Sequence, residues 1–300
     1  MTEIRFDDRV AIVTGAGGGL GRAHALLLAS RGAQVVVNDL GGSVDGEGAS
    51  NRAADAVVAE IEKAGGKAVA NYDSVAEAEG ADAIVKTALD AYGRIDVVIN
   101  NAGILRDVSF HKMTVEQWDI VLAVHLRGTM LVSRAAWPHL REQGYGRIVN
   151  TSSAAGLYGN FGQANYGAAK LGIVGLTKAL AQEGFKKGIR VNAIAPVAKS
   201  RMTESILPAD VLATLEPDRV APIVAYLASE ANDANGQVFA VGGGYVSRVE
   251  VVEAPGVVLA DGFGPDEVAA QFAAASNLDG AKAYGNAMEA IGAGLSRAKG

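Results

Sequence analysis

Val10-Ala11-Ile12-Val13-Thr14-Gly15-Ala16-Gly17-Gly18-Gly19-Leu20-Gly21 decides the fold. Of the first five residues all but Thr14 are apolar and all but Ala11 are β-branched, in the manner of a strand buried on both faces. The glycines follow at once, and Leu20–Ser30 then shows helical periodicity. A strand, a glycine-rich turn and a helix in that order form an anion cradle. Glycines let backbone N–H groups approach a pyrophosphate, and the helix directs its positive end at it. Gly15, Gly19, Leu20 and Gly21 are therefore candidate cofactor residues. A glycine-rich turn alone is weak, but its place between strand and helix makes it specific.

Working outward, short apolar runs alternate with amphipathic segments. Strands are predicted at Val10–Thr14, Gln34–Asp39, Lys67–Asn71, Ile95–Asn100, Arg147–Ser152, Arg190–Ala195 and Gln237–Val241. Helices are predicted at Leu20–Ser30, Asn51–Ala64, Ala81–Tyr92, Val115–Gln143 with a break near Gly128, Tyr166–Lys187 and Val220–Ser229. Strands apolar throughout and separated by helices imply a parallel sheet covered on both faces. Right-handed crossovers make this an α/β, doubly wound, Rossmann-type domain with seven parallel strands. Residues 1–249 form that domain, and 250–300 read as a C-terminal extension with helices near Pro265–Ser276 and Ala281–Ala298.

Composition narrows the function classes. Hydrophobic residues at 49% and charged residues at 20% describe a globular chain. The net charge of −6 offers no basic footprint for nucleic acid. Cysteine is absent, which excludes disulfides and thiolate chemistry. No apolar run reaches the roughly 18 residues of a membrane span, and no signal peptide is visible. The terminal Arg297-Ala298-Lys299-Gly300 is not a peroxisomal tripeptide. A cytoplasmic location is the expectation, and no metal ligand is predicted.

Asp39 ends the second strand at about the 20-residue spacing of a ribose-binding acid. A carboxylate there accepts from ribose hydroxyls and repels the extra phosphate of NADP, which favours NAD as cofactor. Arg22 reads as a surface cation on the helix. Asp73 and Ser74 follow the third strand, where Asp73 either accepts from an adenine amine or caps a turn. Asn101-Ala102-Gly103 follow the fourth strand, where small residues suit an approach to cofactor.

Tyr166 and Lys170 are four residues apart on one predicted helix and share a face. A lysine beside a phenol stabilises the phenolate and lowers the tyrosine pKa from about 10. Such a tyrosine exchanges a proton with an alcohol or carbonyl during hydride transfer. Ser153 closes the fifth strand, at the sheet edge where ligands bind, and its hydroxyl is placed to hold the substrate oxygen.

Together Thr14–Gly21, Asn100–Gly103, Ser153, Tyr166 and Lys170 resemble the short-chain dehydrogenase/reductase family over Arg9 to about Gly244. The resemblance implies an oxidoreductase acting on CH–OH. Tyr166 would be its general acid/base, Lys170 a ligand of the nicotinamide ribose, and Ser153 the group orienting substrate. Val36–Gly42, Lys67–Val75, Arg94–Arg106, Gly156–Ala164 and Ser200–Thr203 resemble the (3R)-hydroxyacyl-CoA dehydrogenase branch, the type found in peroxisomal multifunctional enzymes. That branch also contains 17β-hydroxysteroid dehydrogenases. It implies oxidation of 3-hydroxyacyl-CoA, steroid side-chain thioesters included, by a stand-alone bacterial relative. A 17β-hydroxysteroid dehydrogenase, an NADPH-dependent ketoacyl reductase and a non-catalytic NAD-binding sensor or scaffold are the alternatives. Asp39 argues against the reductase and the intact Ser/Tyr/Lys set against the sensor.

Two departures from the family pattern stand out. His125 occupies the place of a usual asparagine, where it either continues a proton relay from Lys170 or fills a helix break as a structural residue. Pro196-Val197 replaces Pro-Gly beside the nicotinamide, and the backbone amide of Val197 is expected to serve the cofactor. The small residues Gly167, Ala168, Ala169, Gly172 and Gly175 permit close helix packing. Since the family uses this helix in subunit contacts, a homodimer or homotetramer is expected. By the same analogy the extension covers a substrate cleft.

Overall fold

The computed structural model describes residues 3–43, 45, 48, 50, 52–198 and 214–298. The predicted match at Ser200–Thr203 lies outside them. Eight strands form one sheet: β1 Val10–Thr14, β2 Gln34–Asn38, β3 Lys67–Asn71, β4 Val97–Asn100, β5 Gly146–Thr151, β6 Ile189–Pro196, β7 Val238–Gly242 and β8 Tyr245–Val249. Their order is β3-β2-β1-β4-β5-β6-β7-β8, and β1 through β7 pair in parallel. The eighth strand is a correction to the seven predicted. It follows a turn at Gly243-Gly244, whose φ values of 57° and 89° suit a two-residue hairpin, and only glycine adopts both readily. So short a link returns the chain antiparallel at the sheet edge.

Each strand feeds both faces. Ala11 and Val13 point into one core with Ala25 and Leu28 of α1 (Gly19–Ser30) and Val57 and Ile61 of α2 (Arg52–Lys63). Val10 and Ile12 point into the other, with Ile84 of α3 (Ala78–Tyr92) and Val132 and Leu140 of α5 (Gly128–Gln143). All of β1, β4 and β5 is buried, which is why no polar alternation marks these strands in the sequence.

The chain reverses its direction of travel across the sheet between β1 and β4, so the loops after these two strands diverge and leave a crevice. The register places Thr14 beside Asn38 and Asn71 on one side, and Asn100 beside Asn150 on the other. A row of polar side chains therefore crosses the carboxyl edge of the sheet. The long helical stretch divides into α4 Val115–Leu122, a π-helical turn Ala123–Arg127 and α5, so the break lies just before Gly128. Between β5 and the long helix α7 (Ala164–Gly184) sits a short helix that the sequence did not reveal, α6 (Ala154–Tyr158).

Residues 1–248 and 249–300 are two compact units. In the second, helices Pro265–Ala275 and Ala287–Ala298 contain no buried residue. The latter begins six residues after the predicted Ala281. Among the described residues no helix is long and apolar enough to cross a membrane.

Candidate active site

The glycine loop forms a cradle that side chains would fill. A Cβ on Gly15 would lie 2.7 Å from Ala102 Cα, and one on Gly21 would lie 2.1 Å from the Gly15 carbonyl oxygen. Both positions therefore need glycine for close packing of loop, helix and the turn after β4. At Gly18 and Gly19 a Cβ would meet nothing within 4 Å, so this side of the loop is open. Helix α1 begins there with no side-chain cap, and its N-terminal amides are left for an anion. Leu20 lies in its first turn, half-buried. These features fit the pyrophosphate of a dinucleotide, and Asp39 fits its ribose. The Asp39 carboxylate lies beside the loop, accepting from the Gly17 amide at 2.7 Å.

The turn after β4 is tied to this loop. Thr14 Oγ1 accepts from the amides of Asn101 and Ala102 at 3.0 and 3.1 Å. The Asn101 side chain donates to the carbonyls of Thr14 and Gly15 at 3.0 and 3.1 Å. Asn101 thus joins the two loops of the crevice through its amide group. Asp73 is drawn into a local turn: its amide donates to Asn71 Oδ1 at 3.0 Å, and its Oδ2 accepts from Asn71 Nδ2 at 2.7 Å. Ser74 Oγ accepts from the Ala76 amide at 3.2 Å. The turn-capping alternative therefore describes these contacts of Asp73.

Ser153, Tyr166 and Lys170 converge at the carboxyl edge of β5. Ser153 lies two residues beyond the strand's end at Thr151, not on it, and is the N-cap of α6. Its Oγ accepts from the Ala155 amide at 3.2 Å, which orients the hydroxyl, and it hydrogen-bonds the Tyr166 phenol. The Lys170 side chain is buried and donates from Nζ to the Thr151 carbonyl at 2.6 Å. Nζ lies 5.4 Å from the centre of the Tyr166 ring. Beneath this pair, Ser152 Oγ donates to the Lys170 carbonyl at 2.8 Å, and the buried Asn100–Asn150–Thr177 chain links β4, β5 and α7.

Burial acts on both titratable groups. It pushes the Lys170 ammonium down to about 7. It raises the Tyr166 phenol, the Ser153 hydrogen bond opposes that rise, and the Asp107 charge adds to it. The expectation that Lys170 lowers the phenol is thus corrected for the protein by itself. Desolvation of the ring outweighs a cation more than 5 Å from its centre.

His125 sits buried in the π-helical turn, its ring edge-on to Tyr166 at 5.1 Å between centroids. Nε2 lies 2.8 Å from the Ile104 carbonyl oxygen and 3.1 Å from the Ile104 amide. Which of the two it serves depends on which ring nitrogen carries the proton. Nδ1 is buried without a hydrogen-bond partner. Burial first and the Lys170 charge second hold this imidazole well below its ordinary pKa, so it is neutral. Gly103 admits the ring, since a Cβ there would lie 2.3 Å from His125 Cε1.

Pro196 ends β6, and the Val197 amide donates to the Val241 carbonyl at 2.8 Å. The expectation that this amide serves the cofactor is corrected: the sheet has already taken it. Two residues beside the site were missed. Asp107 accepts from Gln163 Nε2 at 2.7 Å, and burial raises its pKa. A single Asp in an irregular loop carries no spacing signal, so only the folded loop reveals it.

The short chain dehydrogenase family model matches residues 9–210. A short-chain type dehydrogenase/reductase of Mycobacterium tuberculosis is 58% identical over 278 residues, 93% of this chain and 97% of that one. Peroxisomal multifunctional enzyme type 2 of Mus musculus is 58% identical over 256 residues, covering 85% of this chain and 34% of the mouse protein. The structure of full-length peroxisomal multifunctional enzyme type 2 from Drosophila melanogaster superposes with a TM-score of 0.85 at 39% identity. It covers 99% of this chain and 50% of that one, so this chain spans about a third to a half of these two multifunctional relatives. A matching family model, the doubly wound sheet and the Ser/Tyr/Lys arrangement agree: the chain belongs to the short-chain dehydrogenase family and is an oxidoreductase acting on CH–OH.

Proposed function

We propose that this chain oxidises the secondary alcohol of a (3R)-3-hydroxyacyl-CoA thioester to the 3-oxo product with NAD as cofactor. The observation that carries the reaction is the convergence of Ser153, Tyr166 and buried Lys170 at the carboxyl edge of β5. The identity to multifunctional enzyme type 2, together with the stretches Val36–Gly42 and Gly156–Ala164, supports the thioester. Asp39 beside the glycine loop supports NAD over NADP.

The residues divide the work. Ser153 Oγ, oriented by the Ala155 amide, holds the substrate oxygen beside the phenol. Tyr166 takes the alcohol proton. The phenolate that does so forms as Tyr166 passes its own proton to the neighbouring Lys170, whose neutral amine burial favours. His125 continues that route: its Nδ1 is buried and unpartnered, the ring lies close enough to feel the Lys170 charge, and Nε2 meets the Ile104 backbone. When bound, NAD supplies the hydride acceptor. Gly15, Gly19, Leu20 and Gly21 would hold its pyrophosphate, and Asp39 its ribose. Alcohol oxidation releases a proton through Lys170, so its rate rises with pH through about 7, the value to which burial brings this lysine.

The test is a substrate panel with NAD and NADP, spanning acyl-CoA lengths and steroid alcohols. Turnover on 3-hydroxyacyl-CoA above that on steroids is expected, and the reverse order would make the chain a 17β-hydroxysteroid dehydrogenase. Tyr166→Phe is expected to lower kcat by about 10²–10⁴-fold, the contribution of a positioned acid/base. Near-normal turnover in that variant would remove Tyr166 from the mechanism.

The same reading extends to assembly and location. The chain acts as a homodimer or homotetramer in the cytoplasm. Gly167 and Gly172 of α7 pack inside the subunit, against Ala155 and Leu126, whereas a Cβ at Gly175 would meet nothing and Leu171 is exposed. That open side of α7 is the proposed subunit contact.

A further inference from the structure

Asp39 does not hang freely from the end of β2. Its Oδ2 accepts from the Gly17 amide and its Oδ1 from the Gly41 amide, each at 2.7 Å. With a backbone donor on each oxygen, the plane of the carboxylate is set. Lone pairs remain for ribose hydroxyls. A phosphate brought to the same place would face a fixed negative charge.

Space enforces this arrangement. A Cβ on Gly17 would lie 2.8 Å from both Cγ and Oδ2 of Asp39, and 2.6 Å from Cβ of Ala53 on α2. All are shorter than real Cβ contacts. The backbone at Gly17 lies outside the left-handed region, so glycine is required here by crowding alone. The neighbouring Gly18 differs, with nothing near its Cβ position. Arg22, in the first turns of α1, is engaged by Glu60 of α2 through Nε at 3.1 Å and Nη2 at 2.5 Å. A cation that would welcome a phosphate is therefore occupied by a carboxylate.

We propose that Gly17, backed by Ala53, is a specificity-positioning residue: having no side chain, it seats the Asp39 carboxylate against the phosphate loop, and the seated carboxylate admits a free ribose 2′-hydroxyl and turns away a 2′-phosphate. This rests on the reading of the chain as NAD-dependent. Any side chain at position 17 displaces the end of Asp39, a flexible group that moves more readily than backbone. The chain folds, but the carboxylate leaves the loop and the discrimination weakens.

The test is calorimetric measurement of the dissociation constants of NAD and NADP with the full chain. Wild type, Gly17→Ala and the double variant Gly17→Ala/Ala53→Gly are compared, with thermal melts to check folding. The double variant removes the Ala53 methyl but leaves the clash with Asp39. It also covers the case in which Gly17→Ala alone fails to fold. Wild type is expected to bind NAD more tightly. In Gly17→Ala the NAD constant rises by about tenfold or more while that for NADP moves by less than about threefold, as loss of one charge-assisted hydrogen bond predicts. The double variant keeps the narrowed preference. Equal losses for both cofactors would overturn the proposal, leaving Gly17 as part of the pyrophosphate cradle only. Recovery of the wild-type preference in the double variant would also overturn it, by assigning the effect to α2. Wild type binding NADP as tightly as NAD would instead sink the NAD reading itself, and the proposal with it.

Discussion

His125 meets the Ile104 backbone through one nitrogen, and a single nitrogen serves either the carbonyl or the amide at a given moment. An asparagine side chain offers both a donor and an acceptor, so His125→Asn can satisfy both groups. The expectation is that His125→Asn keeps kcat within about threefold of wild type, while His125→Phe, which retains the ring against Tyr166, loses about tenfold or more. Steady-state kinetics over a pH series check this, and a Phe variant equal to wild type would make His125 a packing residue. His24 is a second buried imidazole, with neither nitrogen partnered. Burial lowers its pKa to about 3. Between that value and the ordinary 6.5 the unfolded chain binds the proton and the folded chain does not, so stability falls as pH drops below about 6.5. His24→Leu is expected to remove about 2 kcal/mol of the loss between pH 6.5 and 5. Urea titrations at both pH values read this, and an unchanged difference would refute it.

At the scale of elements, the two edges of the sheet do different work. The carboxyl edge carries loops, an uncapped helix end and the proposed catalytic side chains. The amino edge is held by charge. Asp96, fully buried before β4, accepts from Arg9 Nη1 at 2.8 Å, Arg94 Nη2 at 2.7 Å and the Val10 amide at 2.9 Å. Arg147 donates to the carbonyls of Ser229, Gly146 and Gly188, and Tyr145 lies between the guanidinium groups of Arg147 and Arg9. Asp96→Asn keeps the shape and removes the charge. It is expected to cost about 2–3 kcal/mol of stability, measured by denaturant unfolding, because both guanidinium groups lose a charged acceptor. Its kcat should stay near wild type, since the proposed catalytic groups lie at the opposite edge. None of this was legible beforehand: Arg9, Asp96 and Tyr145 are far apart in the chain. The strands themselves were legible, because parallel strands buried on both faces read as unbroken apolar runs. The short helix after Ser153 was not, since five residues are too few for a period to show. The π-helical turn was seen only as a break, because an extra residue in a turn leaves the composition unchanged.

For the whole molecule, the open side of α7 and the exposed Phe185, Tyr226 and Leu171 are apolar surface in search of cover. Light scattering at micromolar concentration is expected to give a dimer or tetramer, and a monomer would refute the assembly. The sequence by itself determined the reaction type. Thr14–Gly21, Ser153, Tyr166 and Lys170 are read by order and spacing, and a strand–loop–helix unit leaves these residues few other places to go. It also determined the parallel sheet, through the alternation of apolar runs with helices. Tertiary structure alone decided which groups remain available. The Val197 amide is taken by β7, the Asn101 amide joins two loops, and the Asp73 carboxylate is drawn into its own turn. It also decided the protonation of the site. Tyr166 and Lys170 are ordinary groups in the sequence, and burial moves one up and the other down to about 7. Desolvation depends on everything packed around a side chain, and residues distant in sequence do that packing. Spacing along the chain therefore names the proposed catalytic groups, and only the fold sets their charge.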